Sequence, residues 1–597
     1  MKNALALILF CFITTSVLAQ SSKTADRLNG IDTLFNRILK DQGVAGFAVA
    51  VVKGDEVIYS KGFGYRDVEN KKPVTPNTLF AIGSASKAFT GSLLGLLRKD
   101  GKLSFEDKAV SLLPQLRFYN EEMNSQIILR DLMAHRTGLS RYDFSWLLFN
   151  TANRDSIIAR VKYMKPTAAV REKWFYNNFM YLAQGMIVER LSGKTWEQNI
   201  KEKFFTPLEM TRSNTDIKAF QQDSDASLPY TLTKENEIKK VDYYNINGMG
   251  PAGSINSSVN DMANWLKVWI SGGSFKKKEI LPVDYVREAA SSQMVMEPEL
   301  PGAHDDIFLA NYGLGWMIGS YRGHYMVEHG GNINGFSANV AFLPSDQLGV
   351  VVLSNQNGSQ VPALVRNSIV DCILELKPID WNGEAREKAK AGRLANKESK
   401  KSPVLNTGLQ RPLKDYTGSF ENPAYGIIKV KLENNNLYTV LSDEKVLLKH
   451  MYYDVFDPRS IDKKGVADTT QSNLMFNFSS GVDGKIQGVG IFLDGSEKPV
   501  MFDFKPEVKV LTIQELQKYT GEYALGQVTA KVFLKGTTLM VYVPGQPEYE
   551  TVATETDAFN LKALKGFSVK FDVTANNQVT AVSFIQPNGT FKAQKKK

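Results

Sequence analysis

The sequence predicts an α+β domain followed by two small antiparallel β modules, and three observations carry that prediction. Strand-like stretches lie on both sides of a long helical middle in the first 380 residues, which points to one sheet built from distant pieces. The last 190 residues switch to period-two alternation and turn residues. That β region also repeats itself: Leu413-Lys-Asp-Tyr416-Thr-Gly418-Ser-Phe420 is echoed by Leu516-Gln-Lys-Tyr519-Thr-Gly521-Glu-Tyr523.

The first residues read as an export signal. Lys2 is the positive start, Ala4 to Ile13 the short apolar stretch, and Val17-Leu18-Ala19 a cleavage site before Gln20. The apolar run falls short of the roughly 20 residues that span a bilayer, so no integral membrane segment is expected after cleavage near Ala19, and the mature protein is expected in the periplasm or medium. Bulky Ile8-Leu9-Phe10 ahead of Cys11 argue against lipidation. Removal of the leader leaves Cys372 as the single thiol, with no internal disulfide.

Next, Gly46 to Val52 and Glu56 to Tyr59 read as strands joined by the turn Lys53-Gly54-Asp55. Helical periodicity dominates from Ser86 to about Trp265, as in Ala88 to Arg98, Leu129 to Ala134 and Met180 to Leu191. Strand patterns return at Tyr325 to Glu328, Ser337 to Phe342 and Gly349 to Ser354. Glu384 to Lys401 is a charged helix or linker. The expected boundaries are a signal at 1–19, a first domain at 20–383, a linker at 384–408, and β modules at 409–506 and 507–597, each a barrel or a sandwich. The second copy ends like the first: Val579 before Val582-Ser583-Phe584 matches Ile486 before Val489-Gly490-Ile491-Phe492.

The chain carries a formal charge of +9. Its basic runs, Lys276-Lys277-Lys278, Arg386 to Lys401 and Lys595-Lys596-Lys597, are not interleaved with aromatics, so no nucleic-acid partner is expected. Five histidines and one remaining cysteine show no metal-ligand spacing, and neither a metal nor an organic cofactor is implied.

Three motifs carry chemistry. In Ser84-Ala85-Ser86-Lys87, serine and lysine three apart share a helix face. A lysine made neutral by desolvation can take the serine proton, and a charged one can polarise it. Taken alone, Ser84 reads first as a helix N-cap, and Ser274-x-x-Lys277, Ser442-x-x-Lys445 and Ser460-x-x-Lys463 repeat the spacing in turn-like or β surroundings. In Tyr176-Asn177-Asn178, a tyrosine beside two cations is a candidate base, and Asn178 offers a donor and an acceptor to a substrate amide. Tyr243-x-Asn245 is its decoy. In His329-Gly330-Gly331, glycines allow close approach of a backbone, and the N–H of Asn332 is a candidate oxyanion donor beside that of Ser84. The alternative is a Gly-rich turn with a surface histidine.

In this order the motifs resemble those of the serine β-lactamase and penicillin-binding superfamily, and more closely its class C β-lactamase-like branch of carboxypeptidases, D-amino-acid peptidases and esterases. Further stretches resemble that branch: Gly62-Phe-Gly64-Tyr-Arg-Asp67, Ile128 to Leu139 with His135 and Gly138, Pro251 to Ser257, Tyr312 to Trp316 and Gly349 to Asn355. The spacing in that branch selects Tyr176 over Tyr243. The resemblance implies a β-lactamase/transpeptidase-like fold, an antiparallel sheet flanked by helices plus an all-helical region. It implies Ser84 as acylated nucleophile, Lys87 and Tyr176 sharing acid–base work, Asn178 holding the substrate amide, and His329, Gly330, Gly331 and Asn332 lining the strand beside a small-molecule or peptide substrate. The β modules resemble lipocalin-like appendages. Penicillin-recognising enzymes usually have Lys-Thr-Gly or Lys-Ser-Gly where this chain has His-Gly-Gly, which removes an ammonium and a hydroxyl that would grip a carboxylate. The competing expectation is a non-catalytic cell-wall or β-lactam-binding protein on the same fold. The sequence leaves the substrate, the role of the β modules and the oligomeric state open.

Overall fold

The computed structural model describes residues 24–596, apart from 234–235, 298–299, 400–406, 443, 462–466, 468–473, 482–483, 494–497, 507 and 565. The expected signal, its Cys11, Lys401, Lys463 and Lys597 lie outside the described residues. The chain forms two compact units. One comprises residues up to Val404 with Pro423–Tyr425; the other comprises Leu405–Asn422 and Gly426–Lys597.

The first unit contains helix α1 (Ile31–Asp41) and strands β1 (Gly46–Lys53), β2 (Glu56–Asp67) and β3 (Lys72–Pro73). Helices α2 (Ser86–Lys99), α3 (Asn178–Ser192) and α4 (Val259–Ile270) follow. Then come β4 (Met294–Val295), β5 (Phe308–Tyr312), β6 (Met317–Tyr321), β7 (His324–Ile333), β8 (Phe336–Leu343) and β9 (Leu348–Ser354), and helices α5 (Val361–Ile373) and α6 (Trp381–Ser399). The sheet order is β4-β5-β6-β7-β8-β9-β1-β2-β3. Thus β1 pairs with β9, Phe47 opposite Ser354, and with β2 on its other side. The discontinuous sheet read from the sequence is therefore the observed one.

Burial on both faces explains why β1 is apolar almost throughout: Phe47 to Val52 are 0 % exposed. One face of the sheet meets α1, α5 and the start of α6 in a core that includes Phe35, Ile38, Val49, Val350, Val365, Ile369 and Trp381. The expected boundary at 383/384 falls inside α6, because Trp381 and Ala385 belong to this core and anchor the start of the helix. On α4, Trp265 stacks on Phe89 of α2 with ring centroids 3.9 Å apart. That contact fixes α2 against the centre of the domain.

The second unit holds two closed antiparallel barrels of eight strands, running from Gly418–Asn422 to Val500–Lys505 and from Gly521–Leu525 to Gly589–Lys595. Their repeat is structural. Tyr416 and Tyr519, both buried, hydrogen-bond Asp454 and Asp557, each at 2.5 Å. Tyr416 packs edge-on against Phe456 at 4.8 Å, and Tyr519 against Phe559 at 4.9 Å. The matching ends form strand seven of each barrel, Ile486–Ile491 and Val579–Gln586. Of the two expected alternatives, barrel and sandwich, the barrel is the one formed; closure removes the exposed strand edges.

Candidate active site

Ser84 sits in a single 3-10 turn, Gly83–Ala85, that runs straight into α2. It caps nothing: neither the turn nor α2 has a side-chain cap hydrogen bond. The N-cap alternative is therefore excluded. Three residues on, Lys87 Nζ reaches three acceptors: Ser84 Oγ at 3.1 Å, Asn178 Oδ1 at 2.7 Å and the Ala252 carbonyl at 2.8 Å. Lys87 is fully buried. Desolvation pushes its pKa well below the ordinary lysine range; the Asp143 charge opposes this and the Arg141 charge assists it.

The turn is pinned from two directions. Phe80–Ala81 pairs with Asn256–Ser257, and Ser86 Oγ accepts from the Ile255 N–H at 3.1 Å. This is what the Pro251–Ser257 stretch does: it also supplies the Ala252 carbonyl to Lys87. On the other side lies β7. His329, Gly330 and Gly331 are inside this strand rather than in a turn after it, and His329 is 1 % exposed, so the surface-histidine alternative is excluded. Strand β6 pairs with β7 only from His324 to Glu328, which leaves the His329–Ile333 edge open beside Ser84. A Cβ on Gly331 would lie 1.9 Å from the Ile82 carbonyl oxygen and 3.2 Å from the Ser84 nitrogen, so only glycine lets strand and turn meet. Asn334-Gly335 closes the β7–β8 hairpin with two residues, making Ile333–Phe336 the hydrogen-bonded pair. The next pair, Asn332–Ser337, then turns the Asn332 N–H outward, toward the open edge.

Tyr176 departs from expectation. Beside cations, a lowered pKa was expected; burial instead drives its phenol above the ordinary range, only partly opposed by the Ser84 hydroxyl and Arg141. Its Oη is buried without a well-formed hydrogen bond, although the Ser84 hydroxyl lies close enough to act on it. Asn178 also differs from the expected free amide, because both ends are engaged: Oδ1 accepts from Lys87, and Nδ2 donates to Asp143 Oδ1 at 2.8 Å. His329 is held by Tyr312 Oη at 3.0 Å and the Gly330 carbonyl at 2.6 Å; burial brings its pKa down to about 3, so it is neutral near pH 7.

Sequence reading assigned no role to His135, Arg141 or Asp143. His135 is fully buried among Trp174, Tyr176, Tyr181 and Tyr312. Its Nδ1 accepts from the Asn177 N–H at 3.2 Å and its carbonyl from Phe175 N–H, so it holds the Tyr176 segment in place. Asp143 receives Asn178, Trp146 Nε1 at 3.0 Å and Arg141 Nε at 2.7 Å. The available signal was an acid and a base two apart in a Gly/Ser loop just after Gly138. The decoys fall where expected: Ser274 and Ser442 lie in or beside β hairpins, and Tyr243 donates to the Ser227 carbonyl and packs on Phe220.

The Beta-lactamase family profile matches residues 31–374, well over half of the chain, and a domain of unknown function, DUF3471, matches residues 402–515. The Unguisins hydrolase ungD' of Aspergillus campestris is 27% identical over 80% of this chain and 92% of its own length. Protein flp of Staphylococcus aureus is 26% identical over 58% of this chain and 66% of its own length. Among solved structures, the octameric penicillin-binding protein homologue from Pyrococcus abyssi covers 79% of this chain and 99% of its own with a TM-score of 0.53 at 21% identity, a likeness of fold. The chain belongs to the Beta-lactamase family and is a hydrolase of the β-lactamase fold.

Proposed function

We propose that this protein is an exported serine hydrolase that works through an acyl-enzyme on Ser84, on D-amino-acid peptides, peptidoglycan fragments, amides or small esters. One observation carries the reading: a fully buried lysine amine lies 3.1 Å from the hydroxyl of a partly buried serine. Neutral Lys87 takes the Ser84 proton as Oγ attacks the substrate carbonyl. The N–H groups of Ser84 and Asn332 receive the oxyanion. Tyr176, kept protonated by burial, gives its proton to the leaving nitrogen or oxygen and regains one from Lys87. The carbonyl–leaving-group bond breaks and the Ser84 ester remains. Water then attacks the ester, its proton passes to Lys87, and Ser84 departs reprotonated with the carboxylic acid released.

Neutral His329 in place of an ammonium argues for acyl transfer without efficient β-lactam turnover. The test is intact mass after fluorophosphonate or fluorescent penicillin, with hydrolysis of a D-amino-acid dipeptide, p-nitrophenyl esters and nitrocefin, on wild type and Ser84→Ala. A single adduct lost in Ser84→Ala is expected, together with a fall in kcat of at least about 10³-fold. An unlabelled wild type would instead favour the binding-protein alternative. Export is tested by N-terminal sequencing of the periplasmic or secreted form, with Gln20 expected as first residue.

A further inference from the structure

We propose that Arg141 is a specificity-determining residue that takes a carboxylate of the substrate, supplying from the loop after Gly138 the cation that His-Gly-Gly lacks. The inference rests on the hydrolase reading above and names the substrate's charge.

The guanidinium Cζ lies 4.8 Å from the centre of the Tyr176 ring, and Tyr176 in turn adjoins Ser84. Arg141 therefore stands at the mouth of the site, with its side chain 55% exposed above an Asp143 side chain 13% exposed. Its Nε and Nη2 both engage Asp143 Oδ2, at 2.7 Å each. Among the described residues Nη1 has no acceptor. A guanidinium carries five N–H donors in a rigid fork, so one edge can hold a buried carboxylate while the other accepts a second. Stacking on Tyr176 and pairing with Asp143 fix that fork before substrate arrives, which lowers the ordering cost of binding.

The other groups here that could carry a positive charge are disfavoured by their surroundings from doing so. Lys87, His135 and His329 are all buried and all shifted toward their neutral forms. Arg141 alone of these four is exposed, its side chain at 55%. Its partner Asp143 is committed beneath it to Asn178 and Trp146.

The experiment compares kcat and KM of full-length wild type, Arg141→Gln and Arg141→Lys on two matched substrate pairs. One pair is a D-alanyl dipeptide and its C-terminal amide. The other is a succinyl- and an acetyl-capped D-amino-acid p-nitroanilide. The wild type is expected to prefer the charged member of one pair by about 10-fold or more, mainly in KM, and the pair that responds says whether the carboxylate lies on the leaving or the acyl side. Arg141→Gln is expected to bring that ratio to about one, with Arg141→Lys retaining part of it. No preference in either pair, or a preference that survives Arg141→Gln, overturns the inference and leaves Arg141 as the partner of Asp143 alone. Fluorophosphonate labelling of Ser84 in each variant confirms an assembled site. Hydrolysis that persists in Ser84→Ala would overturn the hydrolase reading instead, and is told apart by the missing adduct.

Discussion

The barrels and the Ser84 site bury tyrosines beside charged groups in different ways. In each barrel the phenol closes a bond to a carboxylate, Tyr416 to Asp454 and Tyr519 to Asp557, and an apolar shell completes the packing. At the Ser84 site, Tyr176 Oη and His135 Nε2 are buried with no well-formed partner, beside a lysine with no carboxylate in direct contact. Buried polar groups are normally satisfied, because each one left unpaired costs about 1–3 kcal/mol. Tyr416 and Tyr519 commit their hydroxyls to stability. The Ser84 site leaves the Tyr176 hydroxyl without a well-formed partner, and its lysine is shifted toward the neutral form because nothing nearby compensates its charge fully.

Four experiments break or sharpen that contrast. Lys87→Ala should reduce kcat by about 10³-fold with the fold intact, measured by steady-state kinetics alongside circular dichroism. In the wild type, kcat/KM should fall on the acid side as Lys87 gains a proton, at a pH well below the ordinary lysine value. A smaller loss, about 10²-fold, is expected for Gly331→Ala, because the new Cβ separates β7 from the Ser84 turn and displaces the oxyanion donors. Unchanged turnover in this variant would contradict the close approach. In the barrels, Tyr416→Phe and Tyr519→Phe should each destabilise the second unit by about 1–2 kcal/mol in denaturant titration and leave kcat where it was. A kinetic effect there would erase the distinction between the units.

A further effect, seen only on the acid side, is the pH dependence of stability from His329. Its folded pKa, about 3, lies below the unfolded value of 6.5, so the unfolded chain binds more protons between those limits. The stability it leaves intact above pH 6.5 is lost progressively as pH falls toward 3. Unfolding midpoints measured across that window should decline less steeply in His329→Gln than in wild type.

What could be read without a structure was whatever local pattern controls. The strand–helix–strand order, the hairpin at Lys53-Gly54-Asp55, the repeat around Tyr416 and Tyr519, and the face shared by Ser84 and Lys87 follow from backbone periods and turn chemistry acting within a few residues. The order of the three motifs named the fold. The tertiary structure alone decided their electrical state. Burial shifted Lys87 and His329 toward their neutral forms, raised Tyr176 where neighbouring cations suggested lowering, and set Asn178 between Lys87 and Asp143. It also carried Arg141, unremarked in the sequence, to the ring of Tyr176. Desolvation depends on everything packed around a group, from elements far apart in the chain, so spacing can place an ionisable side chain in a motif but cannot fix its charge.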